Sequence, residues 1–440
     1  MPSPTNNLLK LLLVLAGLSI PASLWGFEKW WWGLLGFFGL IVFIDLLTGM
    51  FHQPLLIKRK INRTLALGVW SDVDLEIFND DNRPIKLQVF DHVPQSMKFK
   101  KLPATALIPA SSRLTVNYSI YPEERGDHDF KTLQARRSSR IKLWHFTKKL
   151  TLETHCRVYP NFSAVSQYAL LALDNRLGQL GINKHRRRGE GQEFHQLREY
   201  RQGDSLKKVD WKATSKHRKL ISREFNDEQN QEILLMIDCG HRMRTKDGEL
   251  SHFDHSLNAA LLLSYVALQQ GDAVGVGTFS SNNDETNHQH WVKPARGKRN
   301  LQRILNSVYD IQPGTYAPDY SAAAKSILMR QKKRALIVFI TNVRDEDNDD
   351  LCAALILLKK RHLVLVASMR EQVLDNAIQH KVENFDDAIR VCAAHEYLYH
   401  RQNTFDQIRA ANALGFDVSP EKLSVELVND YLKIKSSGLL

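Results

Sequence analysis

Cysteine is scarce in this chain. There are 4 in 440 residues: Cys156, Cys239, Cys352 and Cys392, far apart and with no C-x-x-C pair. That excludes a disulfide framework and reads as small buried hydrophobes of a reducing compartment. Phosphate-cradling glycine loops are missing as well. Gly189-Glu190-Gly191 is a fragment of one, but no G-x-G-x-x-G or Walker A pattern follows a strand, so ATP hydrolysis would belong to a partner. No G-x-S-x-G nucleophile elbow occurs. Asn287-His288-Gln289-His290 and His252-Phe253-Asp254-His255 have metal-compatible spacings, yet each stands in polar sequence without a second ligand set and reads as surface histidine. Acid is short relative to base. The 60 Lys and Arg against 48 Asp and Glu leave +12, which favours an anionic partner without choosing among lipid, nucleic acid and acidic protein.

What is present is ordinary globular composition, 43% apolar and 25% charged, on a chain long enough for two or three domains. The first fifty residues are the exception. Leu8 to Trp25 and Trp30 to Met50 are apolar runs near the length of a bilayer span, about 20 residues, separated by Phe27-Glu28-Lys29. They predict a transmembrane helical hairpin over 1–52, with Trp25, Trp30, Trp31 and Trp32 at one headgroup level. Lys10 at one end and Lys58, Arg59, Lys60 and Arg63 at the other place both ends inside by charge asymmetry. The expected location is the inner (cytoplasmic) membrane, two spans, with the soluble domains in the cytoplasm and the lipid bilayer as a partner. Asp45 reads as an acid snorkelling to the interface.

Residues 53–160 change to short period-two runs, Val73 to Ile77, Ile85 to Val89, Leu114 to Ile120, Leu150 to Leu152 and Cys156 to Tyr159, broken by turns such as Asn79-Asp80-Asp81-Asn82. They predict a small β-sandwich. Residues 161–231 read as a helical linker, with a helix from Asn161 to Leu180 and a basic Lys184–Arg188 linker, followed by a dense signature stretch. Residues 232–370 alternate apolar strands (Ile233 to Ile237, Ala273 to Phe279, Leu336 to Ile340, Leu363 to Val366) with helices, which calls for an α/β domain with a parallel-rich sheet. The tail, 371–440, reads as helices. Ligands of such sheets bind beyond the carboxyl ends of strands, which singles out Asp238, Thr278, Ser280, Thr341 and Asn342.

The signature stretch, Arg188 to Phe225, carries Phe194, Leu197, Tyr200, Val209, Trp211, Leu220 and Phe225 among its charges, too many anchors for a merely solvated run. It reads as the N-terminal wrap of the α/β domain. Arg198, Tyr200, Gly203, Asp204, Asp210 and Trp211 are the residues expected to fix that wrap or dock a partner. Trp211→Ala is expected to destabilise the soluble domain.

The runs Glu193-Phe194, Leu197-Arg198-Glu199-Tyr200, Gly203-Asp204, Asp210-Trp211-Lys212-Ala213 and Arg223-Glu224-Phe225 resemble the signature of the bacterial domain-of-unknown-function 58 family. Gly271-Asp272-Ala273-Val274-Gly275, Arg361-His362-Leu363-Val364-Leu365 and Tyr431-Leu432-Lys433-Ile434-Lys435 continue the likeness. The resemblance implies a membrane-anchored protein with a von Willebrand factor A-like domain, accompanied by a MoxR-type AAA+ ATPase. It also implies a metal site of the form D-x-S-x-S with a later Asp. Here Asp238 is the one clear remnant, the serine positions are Gly240 and Arg242, and Asn342 stands in place of the later Asp. Thr315, Asp319 and Ser321 are where a middle-loop ligand would be sought. Too few oxygens remain to hold a divalent cation, so no metal or other cofactor is expected. The function expected is a non-enzymatic, membrane-tethered adaptor for the ATPase, in the maturation or assembly of envelope proteins, with no nucleic acid and no small-molecule substrate. The alternative is a metal-dependent or hydrolytic enzyme with an unrecognised site in the α/β domain.

Overall fold

A computed structural model describes residues 2–24, 27–50, 56–161, 193–201, 209–226, 231–280 and 290–439, which divide into two units, Met1–Tyr159 and Pro160–Leu440. The helix expected from Asn161 to Leu180 lies, beyond Asn161 itself, outside the described residues, as do the basic Lys184–Arg188 segment, Gly189-Glu190-Gly191, Gly203, Asp204 and His288.

The first unit opens with β1 (Pro2–Pro4), α1 (Asn6–Leu24) and α2 (Glu28–Met50). Among the described residues α2 is the one helix long and apolar enough to cross a membrane, with 23 residues and a hydropathy of 2.0. The run expected as the first span is a shorter apolar helix with Pro21 inside it. Nine strands follow: β2 (Leu56–Lys60), β3 (Thr64–Ala66), β4 (Ser71–Asn79), β5 (Ile85–Asp91), β6 (Met97–Lys100), β7 (Ala104–Ile108), β8 (Ser112–Pro122), β9 (Gly126–Ser138) and β10 (Trp144–Tyr159). One sheet runs β1-β10-β9-β5-β7 with β3 beside β10, and the other runs β2-β4-β8-β6. Alternate residues point inward, as period-two patterning requires. Val73, Leu75 and Ile77 from one sheet and Leu87, Val89, Phe130 and Leu133 from the other are buried.

Two charges in this unit do something other than expected. Arg59 is not a free topological charge, because its side chain is fully buried between the sheets. It grips Asp91 through Nε (2.8 Å) and Nη2 (2.6 Å) and donates through Nη1 to Leu152 O at 2.7 Å. Tyr118 closes the cluster, donating to Asp91 Oδ2 at 2.6 Å. Burial beside that carboxylate pushes the Tyr118 hydroxyl far up, so it stays a donor. Asp45 does not snorkel either. It is 1% exposed and accepts from Ser139 Oγ at 2.6 Å and Ile141 N at 3.1 Å, in the turn between β9 and β10. Ser139 Oγ in turn accepts from Leu143 N and Trp144 N, and Trp144 Nε1 donates to Val42 O at 3.2 Å. Thr5 holds the same turn from the start of α1, with its hydroxyl donating to Lys142 O at 2.7 Å. The helix pair is therefore bolted to one hairpin tip of the sandwich.

In the second unit β11 (Glu193–Glu199) and β12 (Ile221–Asn226) form a two-stranded antiparallel ladder with α3 (Trp211–His217) between them. The signature stretch thus folds on itself, and among the described residues no ladder joins it to the main sheet. The main sheet has six strands: β13 (Glu232–Asp238), β16 (Ala273–Phe279), β17 (Trp291–Ala295), β18 (Leu336–Thr341), β19 (Leu363–Met369) and β20 (Leu414–Val418), in the order β17-β16-β13-β18-β19-β20. Only β17 runs antiparallel to its neighbour. A small hairpin, β14 (Lys246–Asp247) with β15 (Leu250–Ser251), precedes the first long helix of this unit.

The helices are α4 (His252–Gln269), α5 (Lys298–Val308), α6 (Tyr320–Arg330), α7 (Asn348–Lys359), α8 (Gln372–Gln379), α9 (Phe385–Ala410) and α10 (Pro420–Ser436). Ile233, Leu235 and Ile237 enter a core shared with α4, α5 and α10, while Leu234 and Met236 enter one shared with α6, α7 and α9. Burial on both faces is why β13 is apolar without alternation, each such side chain contributing about 1.5–3 kcal/mol. The tail is more than the expected helices, because it supplies edge strand β20 and α10, whose Leu427, Val428 and Tyr431 are fully buried. It completes the α/β unit.

Candidate functional site

Chain order from β13 to β16 moves to one side of the sheet, and β18 then returns to the other side of β13. The reversal lies between β13 and β18, at whose carboxyl ends an open α/β sheet presents its crevice. Asp238 ends β13 and Thr341 ends β18. Both are fully buried, and Thr341 Oγ1 donates to Asp238 Oδ2 at 2.7 Å across the gap. Gly240 N donates to Asp238 Oδ1 at 2.8 Å, and Tyr320 OH lies 2.9 Å from Thr341 Oγ1. Ser280 stands beside the carboxylate at the end of β16, whereas Thr278 Oγ1 accepts from His290 N.

Burial pushes the Asp238 carboxyl up from its ordinary range, against the opposing pull of Thr341 and Gly240. Stability from the retained proton is complete below the unfolded value, about 3.9, and is lost as pH rises through the raised native value. Asp238→Asn cannot ionise, and its amide can donate to Thr341 once the hydroxyls reverse. The variant is therefore expected to gain stability relative to the wild type as pH rises from about 4 to 7, measured by denaturant unfolding at each pH. Parallel pH profiles would refute the assignment.

The serine positions of the implied metal pattern are filled by other interactions. A Cβ on Gly240 would sit 2.9 Å from Tyr316 O and 3.0 Å from Asp238 Oδ1, so packing leaves no room for serine. Arg242 is 5% exposed and does not pair with Asp238. Its Nη1 donates to Asp347 Oδ2 and its Nη2 to Glu346 Oε2, the latter at 3.0 Å. Asp319 caps α6 by accepting from Ala322 N at 2.7 Å, and Ser321 donates to Asp350. A guanidinium and its carboxylate partner thus stand where an oxygen cage for a cation would be built.

Asn342 belongs to a neighbouring network that sequence reasoning missed. Its Nδ2 donates to Glu371 Oε1 at 2.9 Å and its Oδ1 accepts from Arg401 Nη1 at 2.9 Å. An amide serves both partners, whereas aspartate would face the Glu371 carboxylate without a proton to share. Arg401, on α9, is the hub, with a side chain only 2% exposed. It holds Asp417 through Nε (2.7 Å) and Nη2 (2.8 Å) and also donates to Val343 O, Ser368 Oγ and Met369 O. It ties the carboxyl ends of β18, β19 and β20 together.

The signature residues fall elsewhere. Asp210 caps α3, accepting from Ala213 N at 3.0 Å, and pairs with Arg223 Nε at 2.9 Å. Those donors hold its carboxyl below the usual range. Trp211 is 66% exposed, so the expectation that it anchors the domain is corrected: as the first residue of α3 its ring faces outward. Arg198 is half-buried and its Nη1 donates to Glu199 O, while Tyr200 N donates to Leu220 O at 2.8 Å. His252 is also corrected. It is fully buried and its Nε2 pairs with Asp247 Oδ2 at 2.8 Å.

Comparison with known proteins addresses the region that holds this site. Residues 196–397 match the family described as "Protein of unknown function DUF58". The match runs from β11 into α9, and so contains Asp210, Asp238, Asp272 and Asn342 but stops before Arg401. A curated relative, "Uncharacterized protein YeaD" of Bacillus subtilis (strain 168), is 24% identical over 187 residues, which are 41% of this chain and 42% of the relative. The chain thus spans about two fifths of the length of the curated relative it matches. An aerotolerance-related membrane protein from Bacteroides fragilis NCTC 9343 has 13% identity and a TM-score of 0.29, over 46% of this chain and 98% of that one. The PapD-like domain 7 of human CEP192 has 14% identity and a TM-score of 0.19, over 24% of this chain and 89% of that one.

Proposed function

We propose that this chain is a membrane-tethered interaction protein, not a catalyst, working with a MoxR-type AAA+ ATPase. On this reading α1 and α2 are a two-span anchor with the soluble parts in the cytoplasm, and the second unit is a von Willebrand factor A-like body. The observation that carries the reading is the closed strand-end crevice. Asp238 has both oxygens engaged by Thr341 and Gly240, and Arg242 with Asp347 supplies the local charge balance. Such a site satisfies its polar groups internally, and among the described residues it holds no nucleophile–base pair. Trp211 is exposed in a segment that also exposes the cationic Lys212 and Lys216. An exposed aromatic in a charged segment suits a protein–protein contact. Membrane association draws support from the length and hydropathy of α2. Lys58, Lys60 and Arg63 remain as basic residues on the cytoplasmic side once the buried Arg59 is set apart.

The test is purification from membranes through a carboxyl-terminal tag, with and without a non-hydrolysable nucleotide. A hexameric-type ATPase is expected to co-purify, and more of it with the nucleotide. Trp211→Ala is expected to reduce the yield of the complex about tenfold or more, as for an interface anchor, with the melting temperature unchanged. Absence of the ATPase under both conditions removes the reading.

A further inference from the structure

Between α1 and α2 lies an open groove of about 610 Å³, lined also by Trp144 of β10. That is within the range of small-molecule sites, about 300–1,000 Å³. Its lining recurs at i, i+4, i+7, i+8 and i+11 on each helix, from Leu8 to Ser19 on α1 and from Trp31 to Val42 on α2. The two stripes therefore face each other along their whole length. Small residues on facing helices usually bring backbones together. Gly39 does not, since a Cβ there would meet nothing within 4 Å. At the foot of the groove Trp144 Nε1 donates to Val42 O, and Thr5 holds the β9–β10 turn, so both helices are clamped to the sandwich there.

The lining is apolar apart from the Ser19 hydroxyl and the indole nitrogens of Trp31 and Trp144, the last already bonded to Val42 O. Ser19 donates its hydroxyl to Ala16 O. The indole nitrogen of Trp31 is buried without a hydrogen-bond partner, and a buried donor left unpaired is costly. The outer faces of the helices expose Leu13, Phe37 and Phe43 at 55–75%, so the apolar surface continues outward from the groove. Eleven steps of helical rise make the groove about 16 Å long, against about 15 Å for half of a bilayer's hydrocarbon core.

We propose that this groove binds one acyl chain of a glycerophospholipid, with Trp31 Nε1 donating to the ester carbonyl that heads the chain. Length selects a chain from a single leaflet, and the lone donor at the Trp31 end selects an acceptor at the chain's head. The lipid would act as a fixed part of the anchor, filling space that the two helices leave. This rests on the membrane reading above, and the experiment separates the two.

Full-length protein is expressed in a bacterium and its fractionation with the bilayer after alkaline wash is recorded. It is then solubilised in mild detergent, washed, and weighed by native mass spectrometry. It is also reconstituted in vesicles of phosphatidylethanolamine and phosphatidylglycerol and weighed again. The wild type is expected to fractionate with the bilayer and to retain one phospholipid per chain. Gly39→Phe, which fills the groove without touching the clamp, is expected to lose retention at least tenfold. Trp31→Phe is expected to lose about fivefold, the size of one hydrogen bond, and Leu13→Phe on the outer face to lose none. Bilayer fractionation with no retained lipid, or equal retention by Gly39→Phe, overturns the groove assignment alone. A retained mass matching free fatty acid overturns the phospholipid assignment. Release by the alkaline wash overturns the membrane reading and the groove with it.

Discussion

Arg401→Met is expected to cost about 3–5 kcal/mol, the scale for removing one partner of a buried ion pair. The loss goes beyond the Asp417 contact. The guanidinium is the donor for Asn342 Oδ1, Val343 O, Ser368 Oγ and Met369 O, so its removal leaves acceptors at two further strand ends, those of β18 and β19, without that donor. Methionine fills most of the volume and can supply none of the protons. A domain with about 5–15 kcal/mol in hand would keep its fold narrowly or not at all. Arg401→Lys is expected to recover little, because a single ammonium cannot reproduce the fork that holds Asp417 from two nitrogens. Denaturant unfolding of the full chain, together with hydrogen exchange of the β18, β19 and β20 amides, measures both. A loss below about 1 kcal/mol, the scale of one ordinary hydrogen bond, would mean that the hub is dispensable.

Arg401 is also the clearest case of what sequence could not show. It lies mid-helix in a polar run, His400-Arg401-Gln402-Asn403, and nothing local distinguishes it from its exposed neighbours. Its meaning depends on strands that end far away in the chain. The strand-end residues were legible for the opposite reason. Asp238 and Thr341 each close a continuous apolar run, and the parallel-sheet rule says what such positions face. Other misses had a usable signal. Ile57 and Arg59 stand two apart in β2, which puts the charge on the same inward face as the isoleucine. Leu414, Phe416 and Val418 alternate in the tail, the mark of a strand within a region read as helical. Trp211 misled because an aromatic in a dense motif suggests an anchor, whereas the cap at Asp210 sets the start of α3 and turns the first helical residue outward. Asp45 was read from its distance to the helix end, a measure that takes no account of the hairpin that reaches back to it.

The far-separated signature segments acquire a physical reason at the amino-terminal end of the sheet. Asp272, fully buried at the start of β16, accepts from Tyr431 OH at 2.6 Å and Lys435 Nζ at 2.8 Å through Oδ2, and its Oδ1 accepts from Gln231 N at 3.3 Å. The Gly271-Asp272 turn and the Tyr431-to-Lys435 segment are thus the two halves of one latch that seats α10. Asp272→Ala is expected to cost about 3 kcal/mol or more, since it leaves a buried hydroxyl and a nearly buried ammonium without their carboxylate. Burial beside Asp272 pushes the Tyr431 hydroxyl far up, so the latch holds a donor there at any workable pH. Tyr431→Phe removes that donor alone and is expected to cost less. Adding it to Asp272→Ala is expected to cost almost nothing more, a coupling that distinguishes a shared network from two independent packing defects. Because this latch sits at the opposite end of the strands from Asp238, Asp272→Ala should still capture the ATPase when assayed below its lowered melting temperature. Loss of capture at a temperature where the variant is folded would move the partner's surface to the α10 end of the sheet.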